Sequence, residues 1–146
     1  MLVNIRNLDV ADRPAWERLW HGYVKFYRRH VDADVTDFTF ARLSDAGSQP
    51  FGIVAADEAG QLLGIAHYLF RPTTWSRLDL CYLEDLFVDP GARGSGVGRS
   101  LINEVYSRAD QRGVSGVYWL TQEFNADGRA LYDTLARRTS FIRYQR

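Results

Sequence analysis

The stretch Tyr82-Leu83-Glu84-Asp85-Leu86-Phe87-Val88-Asp89-Pro90-Gly91-Ala92-Arg93-Gly94-Ser95-Gly96-Val97-Gly98-Arg99 decides the fold. An apolar run with strand character ends at Pro90-Gly91. A glycine-dense loop with flanking arginines follows, and an amphipathic helix begins directly after it. That helix carries Val97, Leu101, Ile102, Val105 and Ala109 on one face. The order places free backbone N–H groups and a helix N-terminus at the end of a strand, an arrangement suited to phosphate.

Upstream, residues 2–7 alternate like a short strand. Asp9 and Asp12-Arg13-Pro14 open a helix, and Trp16, Leu19, Trp20, Tyr23, Val24 and Tyr27 carry it to about Arg29 at three- and four-residue spacing. A second helix is expected from Thr36 to Asp45. Strands are expected over 51–56 and 62–70, joined by a hairpin turn at Asp57-Glu58-Ala59-Gly60, and a third long strand over 78–88. Downstream, Gly113 ends the long helix. A buried strand follows over 117–121, then a helix over 126–137 after Asn125, and a terminal strand over 141–144. No repeat or linker interrupts this order, which reads as one mixed α/β domain over residues 1–146.

Composition narrows the function. Lys plus Arg and Asp plus Glu number 18 each, so no global field favours nucleic acid. No apolar run approaches the roughly 20 residues that span a membrane, and the N-terminus lacks signal-peptide character. The single cysteine, Cys81, fits a reducing cytoplasm. Lys25 is the only lysine, so phosphate contacts are expected from arginine or backbone. His21, His30 and His67 lack metal-ligand spacing, and no metal is expected.

Two nucleotide motifs fail at the glycine loop. From Gly94, Gly-x-Gly-x-x-Gly meets Gly96 and then Arg99; from Gly91, the P-loop pattern meets Gly96 and then Val97-Gly98. The pattern that fits is Arg-x-x-Gly-x-Gly, at Arg93, Gly96 and Gly98. Here the chain resembles the GNAT superfamily of acyl-CoA-dependent N-acetyltransferases. The segment Tyr82–Val88 looks like that family's fourth strand, closely so in the spermidine/spermine and yeast histone/polyamine members. Leu120-Thr121 and Asn125 resemble the fifth strand and its exit, and Ala130-Leu131-Tyr132 the following helix. Arg138-Thr139-Ser140-Phe141 stands where many members have Gly-Phe, which leaves the terminal strand open.

The resemblance implies an α+β GNAT fold: a mixed, mostly antiparallel sheet of six to seven strands, with splayed fourth and fifth strands and about four helices. It implies acetyl-CoA as cofactor, with the pyrophosphate in the loop of Arg93, Gly94, Ser95, Gly96, Val97, Gly98 and Arg99. Gly94, Gly96 and Gly98 would let the main chain approach a diphosphate with no Cβ in the way. Backbone groups of Leu86, Phe87 and Val88 would meet the pantetheine arm and the oxyanion, and Asn125 would touch the cofactor while capping the last helix. A homodimer is expected by analogy with similar proteins.

Acetyl transfer needs a neutral amine, and a lysine-like amine of pKa about 10.4 is neutral only about once in a few thousand at pH 7. Glu84, in an apolar strand beside the loop, is the leading candidate base, because burial raises a carboxyl. The competing readings pair it with an arginine or have it attract a cationic substrate. Asp85 is expected on the opposite face of a regular strand, with a bulge as the feature that would alter this. Tyr132 keeps its proton at pH 7 and is the candidate general acid; its alternative is a core tyrosine between Leu131 and Leu135. Asp32, Asp34 and Asp37, with Glu84 and Asp85, form either an acidic mouth for a cationic amine or a solvated loop. Tyr23 lies on the helix that borders the acceptor pocket in the family. The acceptor is therefore expected to be a small amine, polyamines first, amino acids next and protein lysines third. A non-catalytic acyl-CoA-binding module is the alternative of a different class. Cys81 as an acyl carrier is the weaker idea, because no histidine stands near it in sequence.

Overall fold

A computed structural model describes residues 2–146. Strands β1 (Asn4–Asn7), β2 (Phe51–Ala56), β3 (Leu62–Arg71), β4 (Leu80–Val88) and β5 (Gly116–Tyr118) lie in chain order in one sheet. The first four pair antiparallel, and β5 runs parallel to β4. The β2–β3 hairpin forms where the turn residues predict it. Asp57 Oδ1 accepts from the N–H groups of Ala59 and Gln61, both at 2.9 Å, and Gly60 takes φ +84°.

Four helices cover the sheet: α1 (Arg13–Phe26), α2 (Ala33–Leu43), α3 (Val97–Arg112) and α4 (Ala126–Leu135). The alternation of strand side chains sorts them into two layers. Ile53, Ala55, Leu63, Ala66, Cys81 and Leu83 meet Val97, Leu101, Ile102 and Val105 of α3, with Leu131 and Leu135 of α4 beside them. On the other face, Val54, Ala56, Ile65 and Phe87 meet Trp16, Leu19 and Trp20 of α1 and Phe40 and Leu43 of α2. The sheet is thus buried from both sides, and the open end of β4 projects between the layers.

Several boundaries differ from expectation. Among the described residues the sheet has five strands, not six or seven. Residues 141–144 form no strand, and Phe141, Ile142 and Tyr144 are exposed. A strand exists only through ladder partners, and β5 pairs with β4 over just Leu80↔Gly116, Cys81↔Val117 and Tyr82↔Tyr118. Beyond Tyr118 the chain leaves the sheet, so 119–121 are not strand and Leu83–Val88 run on without a β5 partner. The fourth and fifth strands are splayed, as expected. Helix α1 stops at Phe26 because Arg28 takes φ +55°, and α2 starts at Ala33 behind an extended Asp32. Helix α4 ends at Leu135, where Ala136 turns extended.

Candidate active site

The ladder between β3 and β4 carries one irregularity, and it falls on the acidic pair. His67 faces Asp85 and Tyr68 faces Leu83, so Glu84 is an extra residue. The bulge shifts the phase of β4. Asp85 therefore turns to the α1 face, the face it would leave in a regular strand, and its Oδ2 lies 2.8 Å from Nδ1 of His67. The expectation of opposite faces is corrected by this extra residue. His67 is fully buried on β3, and its Nε2 lies 3.1 Å from Nε1 of the fully buried Trp16. Glu84 remains exposed at the strand edge. Loss of water around its carboxyl, then the neighbouring Asp85 charge, raises its pKa above the ordinary carboxylate value, with Arg42 acting the other way.

Tyrosines line the path away from this pair. The Tyr23 hydroxyl sits 3.5 Å from the Glu84 carbonyl, and burial followed by the Asp85 charge pushes its pKa up. Its ring meets that of Tyr27 edge-on at 5.0 Å. The Tyr27 hydroxyl is 3.4 Å from Thr121 Oγ1, and Thr121 in turn accepts from Asn125 Nδ2 at 2.9 Å. Asn125 Oδ1 accepts from the Gly128 N–H at 3.2 Å, which caps α4. One turn further along α4, Tyr132 packs edge-on against Trp119 at 5.5 Å. Burial, then the nearby Tyr27, pushes its phenol up to about 12, and Asn125 works in the opposite direction. Tyr132 is therefore a protonated phenol at any physiological pH.

The glycine loop lies at the end of the same strand. A short helical turn over Pro90–Ala92, capped by Asp89, reverses the chain. Gly94 and Gly96 follow at φ +80° and +87°, and a Cβ on either would meet no atom within 4 Å. Their glycines answer to backbone conformation and to open space above the loop. Gly96 is the N-cap of α3 and no side chain caps that helix, so its first N–H groups point outward unpartnered. Arg93 crosses back over the Phe87 ring at 5.4 Å and donates to the Val88 carbonyl at 3.2 Å. Ser95 Oγ donates to the Ala92 carbonyl, and Arg99 reaches Thr134 Oγ1 on α4 at 3.0 Å. Gly98 differs. A Cβ there would come within 3.1 Å of Leu131 Cδ2, so its lack of a side chain lets α4 approach α3.

This fold and this loop have known counterparts. Residues 13–136 match the model of the acetyltransferase (GNAT) family. The chain belongs to the GNAT family. A D-amino-acid N-acetyltransferase of Saccharomyces cerevisiae is 38% identical over 143 residues, covering 97% of this chain and 89% of that protein. An uncharacterized N-acetyltransferase of Bacillus subtilis is 30% identical over 145 residues, covering 97% and 95%. The crystal structure of a ribosomal-protein-alanine N-acetyltransferase from Brucella melitensis superposes with a TM-score of 0.83 at 23% identity, over 99% of this chain and 98% of that one. At that identity the superposition speaks for the fold alone. As a GNAT protein the chain is an acyltransferase, and acetyl-CoA is the family's acetyl donor.

The residues fit that donor. The unpaired edge of β4 from Leu83 to Val88, the open Gly94–Gly96 cradle and the uncapped α3 N-terminus follow one another along the chain and offer backbone polar groups. Leu86 and Val88 send their side chains toward the α3 layer and Phe87 toward α1, so only their main chain is offered at that edge. Val97 is fully buried and likewise contributes only backbone.

The acidic residues at the start of α2 are exposed. Asp32 binds His30 Nε2 at 2.8 Å on an exposed turn, Asp37 pairs with Arg13, and Asp34 is exposed on α2. No ion pair or hydrogen bond ties these three to Glu84 and Asp85. Cys81 is fully buried on the α3 face, with its thiol pushed up to about 11 by burial. Among the described residues no group of three or more His, Cys, Asp or Glu forms a metal site, and no helix is long and apolar enough to cross a membrane.

Sequence reasoning missed His67, Trp16, Tyr27, Thr121 and Gly128. The available signal was weak: a lone histidine inside the otherwise apolar run Leu62–Phe70. A residue other than glycine at position 128 would place Cβ 2.4 Å from Asn125 Nδ2, a constraint that no motif announces.

Proposed function

We propose that residues 1–146 form one N-acetyltransferase domain that acetylates the primary amine of a small acceptor, bound as its ammonium beside Glu84 and Asp85. One observation carries this reading. Glu84 and Asp85 adjoin Tyr23, Tyr23 packs on Tyr27, and Tyr27 acts on Tyr132, so one chain of neighbours links the carboxylates to the phenol. Bound acetyl-CoA supplies the activated acetyl thioester. The protein's own groups supply the rest. Glu84 and Asp85 attract the cation and orient it. Glu84, with its raised carboxyl, takes up the amine's proton, and Tyr132 Oη holds the proton that a departing sulfur needs. Backbone N–H groups at Leu86–Val88 and in the cradle would hold the cofactor, with the Arg93 and Arg99 guanidinium groups beside the loop.

The acceptor class that the two carboxylates favour is a small cationic amine or polyamine. A second reading, an amino acid, is supported by the D-amino-acid N-acetyltransferase relative and by Arg42, the cation whose field reaches Glu84. Release of free CoA thiol from acetyl-CoA, screened over polyamines, D- and L-amino acids, aminoglycosides and lysine peptides, decides between them. Acetyl-CoA binding with no thiol release for any amine would leave a non-catalytic acyl-CoA-binding module. We further propose a cytoplasmic homodimer. The exposed Phe141, Ile142 and Tyr144 support self-association, and sedimentation as a monomer at assay concentration would reject it.

A further inference from the structure

We propose that His67 is a positioning residue of the acceptor cleft: clamped by Trp16, it holds the Asp85 carboxylate in one orientation and leaves it anionic. The inference deepens the reading of the β4 bulge as the place where the amine binds.

The hydrogen-bond inventory fixes the ring. An indole N–H can only donate, so Trp16 Nε1, 3.1 Å from His67 Nε2, makes that nitrogen an acceptor. The imidazole hydrogen then sits on Nδ1 and points at Asp85 Oδ2, 2.8 Å away. A second proton on Nε2 would set N–H against N–H between two side chains that water does not reach: Trp16 is 0% exposed and His67 1%. The relay therefore gives Asp85 a donor without giving it a positive partner, and the group as a whole keeps one negative charge. Trp16 and Trp20 hold the ring sideways, with centroids at 6.1 and 5.6 Å.

Other charged or titratable groups surround the relay. Tyr23 faces it from α1, and Tyr82 and Glu84 from β4, while Arg42 of α2 acts on Glu84. Tyr23 also hydrogen-bonds to Asp85 from α1, while His67 is the donor at Oδ2 from inside the sheet. The Asp85 side chain keeps 15% of its surface accessible, which leaves it an edge on the cleft. A buried histidine–carboxylate pair is a poor way to stabilise a sheet, since well-packed apolar residues generally do as well. Placed on a bulge that re-aims Asp85 toward the α1 face, it is a way to hold an anion for an incoming ammonium.

The test has two arms. Nitrogen-15 spectra of labelled protein, without substrate, should show His67 with its hydrogen on Nδ1 and Nε2 as acceptor, and Trp16→Phe should lose that form. A protonated ring or the Nε2–H form in the wild type would overturn the proposal, even in an active enzyme. In kinetics, His67→Leu should raise the acceptor KM about tenfold or more, the scale of one charge-assisted hydrogen bond, with the acetyl-CoA KM unchanged. His67→Asn, whose amide N–H replaces Nδ1–H, should return within about threefold of the wild type. Parallel rises in both KM values, or no rescue by asparagine, would mean that His67 merely supports the fold. The Nδ1–H form in a wild type that acetylates no amine would instead reject the acceptor reading and leave the geometry of the relay standing.

Discussion

The two sides of the cleft are built by different means. The glycine cradle at the end of β4 is a backbone device: two positive-φ glycines, a helix start without a capping side chain, and a strand edge without a partner. The bulge cluster opposite is a side-chain device, in which Trp16 of α1, His67 of β3 and Asp85 of β4 meet across 69 positions of sequence. A backbone site binds what every cofactor molecule shares and tolerates no bulk. A side-chain site is where one acceptor is told from another. Substitutions on the two sides should therefore separate into effects on donor and on acceptor.

The largest effect is expected where the sides meet. Tyr132→Phe removes only the phenol oxygen, whose proton stays bound because burial holds the group near 12. Turnover should fall by about 100-fold or more, the usual contribution of a placed general acid, with acetyl-CoA affinity nearly unchanged. Full turnover in that variant, measured by thiol release, would return Tyr132 to the core. The next effect belongs to the cradle alone. Gly96→Val places a branched side chain at φ +87° and into the open space above the loop, so acetyl-CoA should bind about tenfold or more weakly. Normal binding by calorimetry would mean that the loop holds no diphosphate.

Gly98→Val sharpens the contrast, because the two glycines stand in one motif and do different work. Its Cβ meets Leu131 at 3.1 Å, so the substitution forces α3 and α4 apart and should destabilise by about 1–3 kcal/mol. A thermal melt should show that loss while acetyl-CoA affinity changes less than in Gly96→Val. The reverse ranking would place Gly98 in the cradle.

This contrast also explains what the sequence could tell. The loop was legible because its needs are local: consecutive residues adopt the conformations that only glycine allows, and the helix starts where the loop ends. Asn125 and Tyr132 were legible for the same reason, seven residues apart on one cap and one helix. The orientation of Asp85 was not, since it depends on which partner residue lies opposite on β3, and one extra residue reverses it. His67 carried no motif because its partners come from two other elements. The terminal strand expected over 141–144 does not form, because the sheet supplies no ladder partner for it. The pairing of Asp32 with His30 and of Asp37 with Arg13 was not legible either, since no motif announces an exposed ion pair.

The smallest effect tests whether Glu84 is held against its own stability. Its carboxyl is raised above the ordinary value by partial loss of water and by Asp85, so the folded chain binds this proton more tightly than the unfolded chain does. Stability from this group is therefore fullest at low pH and declines as pH climbs from the ordinary carboxylate range through the raised value. Glu84→Gln removes that penalty. Near neutrality the variant should melt about a degree or two higher, a modest gain because the side chain is exposed and screened. The gain should vanish once the pH falls below the ordinary carboxylate range. Activity should move the other way, with loss of the acidic limb of the pH–rate profile if Glu84 accepts the amine's proton. A variant that is no more stable at neutral pH would mean that Glu84 carries no burial penalty, and one that keeps the acidic limb would remove Glu84 as the proton acceptor.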